Sequence, residues 1–227
     1  DEGLVGSEMC IRDRILIAFL IFLSSISFSY SQNIEVFKFT SEELINLKVR
    51  KVRGAKNLTE YNILNEDGAN ILKAEVENGG SGLGKEAPID LNQTPFLNIT
   101  WKVEKGLPGL DEKSKKGHDF AARFFVVKKI GMTPLSNKAI NYVFSSNSSI
   151  GENWPSPYTK SSIDYVLSSI EKNKNEWVTV KTNVKEDYKR FHNLDVDILD
   201  GVAVMVDTDQ SKSKAISYYK NIYFSAE

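Results

Sequence analysis

Apolar and polar residues alternate most cleanly between Phe96 and Glu104. Leu97, Ile99, Trp101 and Val103 fall on one side of an extended chain, and Asn98, Thr100, Lys102 and Glu104 on the other. That period of two predicts a strand with one face in a core and one face wet or ligand-facing. Shorter runs of the same kind predict strands at 34–39, 61–64, 71–76, 138–144, 163–170, 177–182 and 215–224. Asp67-Gly68 between the second and third of these marks a hairpin turn, because glycine accepts a positive φ.

Two stretches are apolar on both faces and read as buried strands. One is 202–206. The other is Gly117–Val127, which also carries Asp119 and Arg123. If this run is extended throughout, Phe120, Ala122, Phe124 and Val126 share one side, and Asp119, Ala121, Arg123, Phe125 and Val127 share the other. Residues 184–191 are the best helix candidate, and Ser41–Lys48 is a helical turn capped by Ser41. The glycines of Asn78–Gly84 fit neither phosphate-cradling pattern and read as a flexible loop. Residues 145–161 form the longest loop, and long loops often carry function. Many short strands, frequent turns and little helix predict an all-β chain, a two-sheet jelly-roll β-sandwich with one short helix.

The first residues change the domain picture. Residues 1–14 resemble translated sequencing-adapter read-through, not part of a natural fold. Residues 15–31 form a short apolar run after Arg12 and Arg14, ending in small residues at Ser29-Tyr30-Ser31. That is the pattern of a signal peptide cleaved after Ser31, with an uncleaved anchor as the alternative. Residues 32–227 are then a single sandwich domain, periplasmic or secreted, with no membrane contact after cleavage and expected to be a monomer. Composition narrows the function classes. The whole chain has a net charge of −1. Without residues 1–31 it is about +1, which argues against a nucleic-acid partner. Cys10 is the only cysteine, so the domain has no disulfide.

Enzyme chemistry finds little support. There are two histidines, His118 and His192, too few for a His-rich zinc site. No Gly-x-Ser-x-Gly elbow occurs. A pair of glycan-cleaving carboxylates stays open, because Asp and Glu are plentiful. Arg123 and Asp119 would be ~13 Å apart on a strand rising ~3.3 Å per residue, so each needs another partner. They either line a polar sheet face that binds sugar hydroxyls or serve in structural ion pairs with neighbouring strands. Trp154, Tyr158 and Tyr142 are candidate aromatic platforms for a sugar ring, and Trp154 can alternatively pin its loop. Trp101 and Trp177 read as core. Asp207 and Asp209 could offer oxygens to a metal, or could cap a turn.

Ile71–Ala74, Ser81–Leu83, Leu97–Val103, Gly117–Val127, Ala139–Phe144, Trp177, Asn183-Val184, Asp187-Tyr188, Val202–Asp209 and Tyr218–Phe224 together resemble the bacterial domain-of-unknown-function 3047 family. The resemblance spans nearly all of the chain after residue 31. It implies a galactose-binding-like jelly roll, as in carbohydrate-binding modules, with neighbouring N- and C-terminal strands. It implies no reaction and no cofactor beyond a structural calcium, which such jelly rolls often hold. Gln210-Ser211 replaces the family's usual Asn-Thr. The expected function is therefore non-catalytic binding of carbohydrate or cell-envelope glycan. The alternatives are an envelope protein-interaction domain and a glycan-active hydrolase or lyase.

Overall fold

The alternation at Phe96 does what it predicts. In the computed structural model, which describes residues 33–133 and 136–227, Leu97, Ile99, Trp101 and Val103 are all buried in one core. The Trp101 indole N–H donates to Ser168 Oγ at 2.9 Å, the partner a buried indole requires. The expected leader and signal peptide lie outside the described residues.

The strands are β1 (Ile34–Phe37), β2 (Lys48–Lys51), β3 (Glu60–Glu66), β4 (Ala69–Glu77), β5 (Gly80–Asp90), β6 (Phe96–Lys105), β7 (Ala122–Lys128), β8 (Lys138–Ser145), β9 (Asn153–Ser156), β10 (Thr159–Ser169), β11 (Val178–Asn183), β12 (Ile198–Asp207) and β13 (Lys214–Ser225). One sheet runs β11-β6-β13-β4-β3, with β1 added against β13. The other runs β2-β5-β12-β7-β8-β10-β9. Their inner faces meet in one core, to which β7 gives Phe124 and Val126, β12 gives Val202, Val204 and Val206, and β13 gives Tyr219, Ile222 and Phe224. The expected β-sandwich is what forms, and its first and last strands pair antiparallel, Ile34 opposite Phe224.

Five expectations need correction. Asn78–Gly84 is not a flexible loop, since most of it opens β5, paired to β12. Its glycines allow close strand approach: a Cβ on Gly84 would lie 3.0 Å from the Ala203 Cβ. Two helices form rather than one, α1 (Ser41–Asn46) and α2 (Val184–His192). The cap of α1 is Thr40, not Ser41, and its hydroxyl accepts the Glu43 N–H at 3.1 Å. Residues 117–121 do not belong to a strand, because β7 begins only at Ala122. Trp177 is half-buried and precedes β11, outside the core. Among the described residues no helix is long and apolar enough to cross a membrane.

Candidate functional site

The outer face of the seven-stranded sheet carries the unusual chemistry. Since alternate residues of a strand face one way, β7 sends Arg123, Phe125 and Val127 outward. β12 sends Gly201, Ala203, Met205 and Asp207 to the same face. The registers align these residues in rows across the sheet. One row runs Arg50, Gly82, Met205, Arg123, Val143, Val166. The next runs Lys48, Gly84, Ala203, Phe125, Asn141, Asp164.

One end of the face is covered. Phe120 packs there with Val143, Trp154 and Val166 in a small second core. Beneath it the Arg123 guanidinium lies 5.0 Å from the Phe120 ring and 5.7 Å from the Phe125 ring, and pairs with Asp207. Asp207 also accepts the Phe120 N–H at 3.0 Å. Burial, and secondarily Asp119, push its carboxyl up to about 6 although Arg123 pulls the other way. Asp119 accepts the backbone N–H groups of Gln210 and Ser211, which fixes the turn after β12. His118 Nε2 lies 2.7 Å from Asp164 Oδ2, and the Asn141 amide donates to Asp164 Oδ1. Among the described residues, Arg123 Nε and Asn141 Oδ1 are buried with no hydrogen-bond partner.

The structure therefore gathers Asp119, Arg123, Asp207, Asp209 and Tyr158 around one point. Tyr158 is exposed at the rim, its ring 5.5 Å from His118, and its hydroxyl is raised by partial burial and by these carboxylates. Trp154 is 8 % exposed and stands in strand β9 opposite Asp164, because β9 and the start of β10 interrupt the long loop expected over 145–161; the Lys113 ammonium lies 5.2 Å from its ring. Tyr142 is not on this face. It points into the main core and its hydroxyl donates to Asp187 Oδ2 at 2.9 Å, because Ile140, Tyr142 and Phe144 share the inner side of β8.

Asp119, Asp207 and Asp209 each bring a carboxylate oxygen within 4.8 Å of the others, a spacing suited to a cation. The donors already present do not fit calcium, which takes six or more oxygens. Asp119 is engaged by backbone N–H groups, Asp209 by the Gln210 side chain, and Asp207 by an arginine that supplies the balancing charge.

The other end of the face is open. A groove of about 180 Å³ has Gly82, Gly84, Gly201 and Ala203 for its floor and Val127 beside them. Lys48, Arg50, Lys85, Lys129, Glu86 and Asp200 stand around it. Half-buried Phe125 and Met205 are next along the rows, between the groove and the covered end.

A family profile described as "Protein of unknown function (DUF3047)" matches residues 46–223, most of this sandwich. The chain belongs to the DUF3047 family. Comparison with curated proteins finds no match. Among solved structures, the family 30 carbohydrate-binding module of the cellulosomal cellulase Cel9D-Cel44B of Clostridium thermocellum is similar at TM-score 0.50 and 10% identity, over 86% of this chain and 98% of that one. The family 11 module of Lic26A-Cel5E from the same organism gives 0.48 and 14%, over 86% and 95%. A cellulase derived from Cel12A of Rhodothermus marinus gives 0.45 and 9%, over 85% and 97%. At such identities the likeness is one of fold.

In this DUF3047 chain the groove residues are the ones sequence reasoning passed over. Glycine inside a strand can mark close approach of a ligand or another backbone. Gly82 and Gly84 carried that signal, and Phe125 was already placed on the face of Arg123.

Proposed function

We propose that this chain is a secreted or periplasmic, non-catalytic module that binds polysaccharide in the open groove of the seven-stranded sheet. The observation that carries the reading is the groove itself, a strip of strand backbone without bulky side chains, bordered by charged groups and a half-buried aromatic. Sugars present apolar C–H faces and many hydroxyls, so a flat floor with polar walls is complementary to them. The fold likeness to a family 30 carbohydrate-binding module supports the same reading.

A hydrolytic role receives no comparable support. A general acid needs a raised pKa. Glu86, one of the two groove carboxylates, is instead held low, chiefly by its hydrogen bond from Lys129. Asp200, the other, accepts the Lys129 backbone N–H at 2.7 Å and faces Lys128 at 3.1 Å. The covered end, where Arg123 and Trp154 are buried, favours an interaction domain, but that half of the face offers no opening.

The test is affinity electrophoresis and calorimetry of the purified chain against a panel of soluble glycans. Gly82→Leu is the blocking variant. Its Cβ would meet neighbours no closer than 3.6 Å, so the strand accepts it while the side chain fills the groove. Saturable binding in the parent, lost in Gly82→Leu with unfolding midpoint unchanged, is expected. Binding that survives the block would overturn the site.

A further inference from the structure

The charges around the groove are not balanced in kind. Its four cations are Lys48, Arg50, Lys85 and Lys129, against Glu86 and Asp200. Lys129 pairs with Glu86 at 3.0 Å. Lys85 turns to Glu43 of α1 at 2.6 Å. Asp200 is taken by Lys128 at 3.1 Å. Lys48 and Arg50 have no carboxylate within ion-pair distance among the described residues, although Lys48 is near enough to Glu86 to help hold it ionised.

The reason is structural. Both sit on β2, the edge strand, and their partners across the ladder are Gly84 and Gly82. A glycine offers no side chain to neutralise a cross-strand charge. Two residues apart on one strand, Lys48 and Arg50 point to the same face, ~7 Å from each other along the strand. They stand beside the bare floor, exposed and free to meet a ligand.

Resting on the glycan reading above, we propose that the groove selects anionic polysaccharide, with Arg50 and Lys48 as its anion-binding residues. The matching chemistry is a chain of sugars bearing carboxylates or sulfates. Arg50 would grip a carboxylate through two parallel N–H donors, and Lys48 would act as a point charge on the next acidic group. The bland alternative is that these residues only protect an exposed edge from pairing with another chain. Edge protection requires no ligand, so binding data separate the two.

The experiment measures binding of polygalacturonate, dextran sulfate and neutral xyloglucan to the purified chain at low and high salt. Polygalacturonate should bind at least about tenfold more tightly than xyloglucan, a difference that added salt erodes. Arg50→Ala and Lys48→Ala should each weaken it about tenfold, and Lys48→Glu/Arg50→Glu should abolish it. Circular dichroism and the unfolding midpoint should not change, since both side chains lie outside the core. Preference for the uronate over dextran sulfate supports the arginine fork, and equal binding supports recognition by charge. If xyloglucan binds as tightly as polygalacturonate and only Gly82→Leu removes it, the groove is a glycan site and anion selection is wrong. Anionic binding that persists in Gly82→Leu also overturns the proposal, because surface charge outside the groove is then responsible. No binding of any glycan sinks both readings.

Discussion

Replacing Arg123 with methionine isolates the charge at the covered end of the sheet. Methionine keeps much of the unbranched stem, so the main loss is the guanidinium, which pairs with Asp207 and lies near the Phe120 and Phe125 rings. Asp207, 3 % exposed, would keep the Phe120 N–H as its close donor. Removing one partner of a buried ion pair typically costs about 3–5 kcal/mol. A domain of this size loses ~2–4 °C per kcal/mol, so the midpoint should fall by roughly 6–20 °C.

That cost must depend on pH, with a definite sign. The Asp207 carboxyl sits at about 6 in the folded chain and at 3.8 without the fold. The folded state therefore holds this proton more tightly. The group favours folding below about pH 4, and that contribution is lost as pH rises through about 6. Without Arg123 the carboxyl rises further, and its proton persists to higher pH. The destabilisation should be largest near pH 8, where the variant must bury an uncompensated anion or pay to protonate it. It should shrink toward pH 5. Urea unfolding of parent, Arg123→Met, Asp207→Asn and the double variant across that range measures it. Asparagine keeps an acceptor for Phe120 and removes the charge, so the double variant should be more stable than Arg123→Met alone at pH 8. A loss under about 1 kcal/mol at pH 8, or one that does not vary with pH, would refute the reasoning.

Two further expectations rest on other parts of the fold. Trp101→Phe should cost about 1–3 kcal/mol in chemical denaturation, because Ser168 Oγ loses its buried indole donor; a change within experimental error would show that the hydroxyl finds another partner. Millimolar calcium, or its removal with a chelator, should leave the thermal midpoint unchanged, since Arg123 already occupies the carboxylate cluster. A saturable upward shift with calcium, lost in Asp209→Asn, would show that the cation displaces that pairing.

Much of the fold was legible because alternation is a direct record of burial. The inner face of β6 and the pairing of β1 with β13 followed from pattern and resemblance. β5 was not legible, because a strand announces itself through side chains and Gly80, Gly82 and Gly84 have none. The Asp119 segment misled for the opposite reason. It is apolar enough to be a strand, but the β7–β12 ladder reaches only Arg123 opposite Met205. Beyond that point the chain bends, Phe120 crosses to the outer side, and Asp119 and Arg123 meet around Asp207 rather than standing a strand's length apart. Tyr142 was a readable error. Apolar Ile140, Tyr142 and Phe144 alternate with Asn141, which already put the tyrosine on the core side.

The two ends of the outer face divide the work through a single row of residues. From Arg123 the row passes through Met205 to Gly82 and Arg50. At the Arg123 end the anchoring groups are buried: the guanidinium is paired with Asp207, the turn after β12 is held by Asp119, and Phe120 closes the top. Substitution there is paid for in stability. At the Arg50 end, β2 is exposed at all four positions and gives nothing to the core. Its side chains can change charge without loosening the sandwich. A binding preference can therefore be rewritten on β2 while the anchor that shapes the groove's far end stays intact. For this reason Lys48 and Arg50, rather than the buried Arg123, are where ligand choice should be sought.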